Sequence, residues 1–473
     1  MARRVMIIGA GEAGCMIVRE VAAHPESELE VVGFLDDDPR LHGKTVEDVP
    51  VLGSSDRLPE EAKLKRIDEV IIAVPSESRD FIRRAVALCR DAGVDFKIVP
   101  GLIEIIRGSV HLDQVREVHP EDLLGRETVE FDEEMIAGAL AGRRVMVTGA
   151  GGSIGGEICR QLGRFDLGEL QLFGRGENQI YEIEEQMRLA CPELPVRSVI
   201  GDIRDRDGLM HTLERMKPEF VYHAAAHKHV HYMEAFPEEA VKNNVFGTAN
   251  IIRACREAGA RRLVMLSTDK AVRPMGVMGA TKRLAEYLML DNATGQNDLR
   301  LATVRFGNVL GSRGSVVPLF MRQIHAGGPV TVSDPEATRF FMTTREACML
   351  VVQASVMAKG GEIFILRMGT PIKIIEMAKD LIALHGLRPE IDVPIKITGL
   401  RGGEKLHEDL VVDGEALEDS SHEYILTAHP ALPEGWDLSS TLVRLEELAR
   451  RGDGPGIREF LGSIIPDALL AHR

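Results

Sequence analysis

The feature that most constrains this chain is an apolar run that ends in a glycine turn and continues as a helix. The chain makes this move twice, as RVMIIGAGEAG at 4–14 and as RRVMVTGAGGSIGGEICRQL at 143–162. A helix entered this way must cross back over the sheet to bury its apolar stripe, so the next strand runs parallel to the first. The intervening sequence agrees. CMIVREVAAH reads as a helix, LEVVGFLDDD (29–38), DEVIIAVPS (68–76) and DFKIVPG as strands, and RDFIRRAVALCRDAG as another helix. After the second turn, ELQLF, RSVIGDI, FVYHAAA, RLVMLST and RLATVRFGNV follow as strands. The pattern predicts an α/β chain of two tandem Rossmann-like doubly wound parallel sheets, the second with a smaller C-terminal substrate-binding segment. A length of 473 residues suits two to three domains. The expected division is a first domain at 1–125, a linker at 126–142 where periodicity weakens, and a second domain at 143–473.

Glycines in such a turn let the backbone approach a pyrophosphate, which then rests on the helix N-terminus. Gly9, Gly11 and Gly14 fit G-x-G-x-x-G, with Asp36 at the end of the next strand as a ribose ligand. Alone, that motif fits a nucleotide fold without a catalytic cofactor equally well. The second loop holds Gly149, Gly152, Ser153, Ile154 and Gly155, preceded by Thr148 and followed by GDI at 201–203 and HAAA at 223–226. That conjunction predicts a dinucleotide site. Gly174 stands where a carboxylate would bind a free ribose 2′-hydroxyl, and Arg175 follows it. This favours NADP over NAD.

A net charge of −16 disfavours a nucleic-acid surface. The six cysteines (15, 89, 159, 191, 255 and 348) show no CxxC spacing, which speaks against a disulfide framework or zinc site and suits a reducing compartment. MARRVMIIGAGEAGC has the outline of a signal peptide ending in a lipobox cysteine, but Glu12 interrupts it. No apolar run approaches the roughly 18–20 residues needed to span a bilayer. The expectation is a cytoplasmic chain without an integral membrane segment. His227, His229 and His231 alternate without a carboxylate cluster beside them, so no metal is expected there. Lys228 between them is a candidate substrate-side cation.

TGAGGSIG, GDI, HAAAHKHV, KNNVFGT, STDKA, MGATK, RFGNVLGSRGSVVP and LRGGEKLHEDL occur in that order. Together they resemble the extended short-chain dehydrogenase/reductases. More closely, they resemble the nucleoside-diphosphate-sugar 4,6-dehydratases of bacterial polysaccharide biosynthesis. The resemblance covers about 143–440, and the first unit with HPEDLLGRE is similar to the soluble part of the large membrane-anchored members. Those carry transmembrane helices ahead of the first unit; this chain begins at that unit, so the membrane anchor is not expected to carry over. The resemblance implies a recycled nicotinamide cofactor, with Asp202 and Ile203 flanking adenine and Ala224, Ala225 and Ala226 lining the site. It implies substrate contacts from Asn244, Asn308, Arg339, Arg401 and Glu404, of which Asn244 matches a structural asparagine. It also implies a UDP-sugar substrate and a homo-oligomer paired through helices beside the active site.

A 4,6-dehydration moves hydride from C4 to the cofactor, removes the C5 proton while the C6 hydroxyl leaves, and returns hydride to C6. By resemblance, Thr268, Asp269 and Lys270 handle the elimination, with Asp269 as acid for the C6 hydroxyl and Lys270 as C5 base. The reverse assignment stays open, since coupled neighbours share their titration. Lys282 would hold the nicotinamide ribose. A short-chain dehydrogenase places a tyrosine four residues before this lysine, and here Met278 stands there. A thioether has no proton to give. The large dehydratases include members with methionine at this position, which points to Asp269, through a water ordered by Thr268, as acceptor of the C4 proton. The rival readings are a sugar-nucleotide 4-epimerase, which needs no C5 and C6 acid–base pair, and a non-catalytic sensor.

Overall fold

The computed structural model describes residues 2–74, 79–99, 129–293, 298–412 and 415–470. The HPEDLLGRE stretch and the first part of the expected linker lie outside these residues. The chain forms two compact units, and they are not consecutive in sequence. The first takes in the N-terminal part up to Val129 with Leu319–Val332 and Ile375–Lys396; the second takes in the remainder. The expectation of one boundary, with everything after 143 in a single domain, differs in those two inserted segments. The second segment is tied in by the pairing of Arg83 Nε with Asp380 Oδ1 at 2.6 Å and by the packing of Leu384 against the first unit's core, and the first segment joins it where the Val330 N–H donates to the Pro394 carbonyl at 2.9 Å.

In the first unit, β1 (Arg3–Ile8), β2 (Leu29–Leu35), β3 (Glu69–Ile72) and β4 (Asp95–Ile98) form a parallel sheet in the order β2-β1-β3-β4. Val5, Met6, Ile7 and Ile8 are buried in succession, as expected of a central parallel strand covered on both faces. Gly9 leaves β1 at φ 103°, in the region that favours glycine. Helix α1 (Glu12–Ala23) then packs so closely that a Cβ on Gly14 would run into the Gly9 carbonyl. Asp36 is tied back to this turn, its Oδ2 accepting from the Ala10 N–H at 2.7 Å and its Oδ1 from the Asp38 N–H at 2.8 Å.

The second unit repeats the device on a larger scale. Its strands are β5 (Arg144–Thr148), β6 (Glu169–Gly174), β7 (Val196–Ile200), β8 (Phe220–His223), β9 (Arg262–Leu266), β10 (Arg300–Arg305), β11 (Ile363–Leu366), β12 (Ala416–Asp419) and β13 (Ile425–His429). They order as β12-β13-β11-β10-β9-β8-β5-β6-β7, parallel from β7 through β11 and antiparallel at β13 and β12. The order reverses beside β5, and in open α/β sheets ligands bind at the carboxyl ends around that point. Helix α2 (Ser153–Leu162) follows β5, α3 (Gly247–Glu257) precedes β9, and α4 (Val277–Ala293) precedes β10.

The last two helices, α5 (Leu438–Arg451) and α6 (Gly454–Ile464), close on α4. Leu445, Leu448, Ile457 and Leu461 join the core formed with Leu284 and Leu288, and Trp436 Nε1 donates to Asp291 Oδ1 at 3.1 Å. Every residue from Val277 to Met289 is buried.

Candidate active site

The glycine loop sits at the end of β5. Gly149 has φ +70°, and a Cβ there would lie 2.8 Å from the Ala225 nitrogen; one on Gly155 would run into the Gly149 carbonyl. The HAAA segment leaving β8 is therefore pressed against the loop through Ala224 and Ala225, and Ala226 follows them along the chain. Ser153 Oγ accepts from the Arg313 N–H at 2.9 Å, so the 311–315 loop reaches the start of α2. His223 is buried between Thr148 Oγ1 at 2.8 Å and Thr248 Oγ1 at 3.3 Å. Burial holds this imidazole neutral, pushing its pKa down to about 3.

Asp202 is gripped by Arg204, whose Nη2 donates to Oδ2 at 2.7 Å, and Arg175 Nη1 lies 3.9 Å from the same oxygen. These hydrogen bonds hold the Asp202 carboxyl below its usual range. Ile203 is buried behind it. The His229 and His231 ring centroids stand 6.1 Å apart at an interplanar angle of 61°. No group of His, Cys, Asp and Glu side chains suited to a metal occurs among the described residues. Lys228 is exposed on the same loop.

Strand β9 delivers the reactive cluster. Thr268 caps a short 3₁₀ turn, Asp269–Ala271, which places Asp269 and Lys270 side by side. Asp269 has no solvent exposure. Its Oδ1 accepts from Thr268 Oγ1 at 2.8 Å and from Lys270 Nζ at 2.9 Å, while its buried Oδ2 has no hydrogen-bond partner among the described residues. Lys270 Nζ also donates to Asn308 Oδ1 at 3.1 Å and lies 3.6 Å from Glu408 Oε1. Burial alone would lower the Lys270 pKa, but Asp269 and Glu408 outweigh it and the pKa is raised.

Helix α4 starts against this turn, since a Cβ on Gly279 would meet the Lys270 carbonyl. Met278 is 3% exposed and contributes only a thioether. Lys282 is buried one turn later, with no hydrogen bond or ion pair among the described residues. Burial lowers its pKa to about 8 against the opposing pull of Glu286.

Two residues expected to contact substrate are engaged elsewhere. Asn244 Oδ1 accepts from the His227 N–H at 2.8 Å and from Asn243 Nδ2 at 3.1 Å, and its Nδ2 donates to the His227 carbonyl and Thr281 Oγ1, both at 3.1 Å. The amide's donors and acceptors are filled, so Asn244 pins the HAAA loop to α4 rather than reaching a ligand. Arg339 Nη atoms donate to the carbonyls of Thr338, Leu406 and Lys405, and its Nε lies 3.7 Å from Glu408 Oε1. It staples the 405–408 segment in place. Asn308 Oδ1 accepts from Lys270 Nζ at 3.1 Å, which places it beside the Asp269–Lys270 pair. Arg401 lines a recess of about 330 Å³ with His231, Glu234, Met275, Gly403 and Arg458, and Glu404 Oε2 accepts from the Arg401 N–H at 3.1 Å.

Sequence reasoning missed Glu408 and Lys405, which lie in the motif whose earlier residues, Arg401 and Glu404, it singled out. Three carboxylates and a lysine within EKLHED were the available signal.

Comparison with known proteins adds three kinds of likeness. The family model described as polysaccharide biosynthesis protein matches residues 145–430, and one described as a CoA-binding domain matches residues 1–100. The chain is 42% identical over 425 residues to the capsular polysaccharide biosynthesis protein CapD of Staphylococcus aureus, covering 89% of this chain and 71% of that one. It is 35% identical over 284 residues to a UDP-N-acetylglucosamine 4,6-dehydratase (inverting) of Campylobacter jejuni, covering 59% and 79%. It is also 35% identical over 308 residues to a UDP-glucose 4-epimerase of Rickettsia akari, covering 63% and 85%. Among solved structures, Pen from Bacillus thuringiensis matches with TM-score 0.57 at 33% identity, covering 63% of this chain and 90% of that one.

Proposed function

This chain belongs to the polysaccharide biosynthesis protein family, and from that premise we propose that it is a nucleoside-diphosphate-sugar 4,6-dehydratase acting on UDP-N-acetylglucosamine. The observation that carries this reading is the hydrogen-bonded Thr268–Asp269–Lys270 cluster, with Asp269 fully buried at its centre. An epimerase moves one proton, at the C4 hydroxyl, and has no use for a second acid–base pair. Elimination across C5 and C6 needs one group to take a proton and another to give one.

The residues of the glycine loop suit a dinucleotide. The amides at the start of α2 would hold its pyrophosphate, Lys282 its nicotinamide ribose, and Arg175, 57% exposed beside Gly174, a 2′-phosphate. When bound, the nicotinamide accepts hydride from C4 and returns it to C6. Lys282 places positive charge near the C4 oxygen. Thr268, partly exposed, stands between the sugar and the fully buried Asp269. Its hydroxyl passes the C4 proton inward to Asp269 Oδ1, replacing the ordered water inferred from sequence. Asp269 later returns that proton through the same hydroxyl to the departing C6 oxygen, while Lys270 takes the C5 proton. The leaning to NADP over NAD rests on Arg175. The C5 outcome, for which the large members suggest retention, stays with the product's stereochemistry.

Because Met278 moves no proton in this scheme, Met278→Leu should keep kcat within a few-fold, as a volume-conserving swap. Steady-state rates check this, and a hundredfold loss would return a chemical role to the thioether. The Lys282 ammonium is charged below a pKa of about 8 and neutral above it. The rate of C4 oxidation, followed in single turnovers, should therefore fall as pH rises through that value; a rate flat through it would remove Lys282 from the step.

The function itself is tested by giving the purified protein UDP-N-acetylglucosamine and following product mass. One water lost per sugar, with no net change in the cofactor, supports a dehydratase. Unchanged mass with inverted C4 supports the epimerase.

A further inference from the structure

The proposed chemistry leaves one proton without a destination. Asp269 is filled once it accepts the C4 proton, yet Lys270 must be a neutral amine before it can take the proton from C5. At rest Lys270 is an ammonium held between two carboxylates, Asp269 Oδ1 at 2.9 Å and Glu408 Oε1 at 3.6 Å. Among the described residues Glu408 is the other carboxylate paired with this nitrogen, and Asn308 Oδ1 at 3.1 Å is an amide oxygen that is no base.

We infer that Glu408 is the proton reservoir of Lys270, receiving the ammonium proton after Asp269 has been neutralised and handing it back at the end of the cycle. The inference rests on the dehydratase reading and deepens it.

The surroundings of Glu408 suit that task. Its side chain is 2% exposed, and its Oε2 is buried without a hydrogen-bond partner among the described residues. Three cations face it: Lys270, Arg339 Nε at 3.7 Å and Lys405 Nζ at 3.7 Å. Arg339 and Lys405 are themselves fixed, the one by three carbonyls and the other by the Val272 carbonyl. Both therefore face the Glu408 carboxylate from fixed positions. Beyond them, Asp409 pairs with Arg273 at 2.6 Å.

The protons balance. The C4 hydroxyl proton goes through Thr268 to Asp269 as hydride leaves C4. The Lys270 proton moves to Glu408. Neutral Lys270 takes the C5 proton, the C6–O bond breaks, and Asp269 gives its proton to form water. Hydride returns to C6 while Lys270 returns a proton to C5, and Glu408 restores the Lys270 ammonium. Asp269 and Glu408 end as carboxylates, as they began.

The test uses the full chain with UDP-N-acetylglucosamine in deuterated water. In single turnovers Glu408→Gln should still oxidise C4 but eliminate at least about a hundredfold more slowly. Reduced nicotinamide should then accumulate where the parent shows it only in passing, and deuterium uptake at C5 should fall by the same factor. Elimination in this variant, timed from the reduced-nicotinamide state, should recover as pH rises and Lys270 loses its proton to solvent, while the same step in the parent shows no such rise. Glu408→Asp keeps the charge with a shorter reach and should slow elimination less, with oxidation retained. Elimination at the parent rate in Glu408→Gln overturns the inference, as does equal loss of oxidation and elimination in both variants. A parent that never oxidises the sugar overturns the dehydratase reading and this inference with it; a parent that dehydrates beside an equally fast Glu408→Gln overturns this inference alone.

Discussion

Asp269→Asn is expected to stop the reaction before any hydride moves. In most dehydratase schemes the residue that protonates the leaving C6 hydroxyl could be lost while C4 oxidation went on, because a tyrosine takes the C4 proton. Here Met278 occupies that position, and Thr268 Oγ1 connects the substrate side to Asp269 Oδ1 at 2.8 Å. An asparagine at 269 keeps the shape and can still accept the Thr268 and Lys270 hydrogen bonds, but it cannot store a proton. Removing a single acid–base group costs about 10²–10⁴-fold. Since the proposed scheme uses Asp269 in oxidation and elimination in turn, the loss should fall at the upper end, with no reduced cofactor detectable in a single turnover. Normal cofactor reduction with blocked elimination would show that another group takes the C4 proton.

Arg305→Met is expected to be the most damaging substitution for stability in the second unit. Arg305 has no solvent exposure and forks onto Glu286, with Nη2–Oε2 at 2.8 Å, and onto Glu415, with Nη1–Oε2 at 2.9 Å. Arg283 joins the network at 2.9 Å from Glu286. Methionine would leave two buried carboxylates short of their main counter-ion, at a cost of about 3–5 kcal/mol. Adding Glu286→Leu should recover part of that, since one uncompensated charge is then removed. Denaturant titrations of both variants measure this, and a loss below about 1 kcal/mol would mean that Arg283 suffices. The network also has a pH signature. Burial alone would raise the Glu286 pKa, but Arg305 and Arg283 overcome it and hold the group at about 2. The folded pKa lies below the unfolded one, so this stability is present above about pH 4.3 and is lost as pH falls through the folded value. The same network reaches the candidate site, because Ser267 Oγ donates to Glu286 Oε1 at 2.6 Å and so anchors the strand end that precedes Thr268.

The glycine loops, the parallel strands and the Thr268–Asp269–Lys270 turn were legible in the sequence because each is written in consecutive residues. Gly155 is required by a backbone contact with Gly149 made within the same turn, and β5 advertises its central place by an unbroken apolar run. What escaped is what distant residues decide together. Asn244 had the right neighbours for a site residue, yet its amide is consumed by His227 and Thr281, a fact fixed only when α4 packs against the HAAA loop. Arg339 carried the charge expected of a phosphate ligand, but the 405–408 carbonyls claim it. Glu408 stood in a recognised motif, and only the fold brings it 138 positions back along the chain to Lys270. The two segments that join the first unit, Leu319–Val332 and Ile375–Lys396, interrupt the second without a composition break to mark them.

The central claim is that Asp269 and Lys270 carry out an elimination across C5 and C6, and one measurement bears on it most directly. The purified protein is incubated with UDP-N-acetylglucosamine in deuterated water, and the sugar is followed by NMR. The account predicts loss of the C6 hydroxyl, a new C6 methyl group, a 4-ketone, and solvent deuterium at C5. A sugar that keeps its C6 hydroxyl and its C5 proton while C4 changes configuration would contradict it.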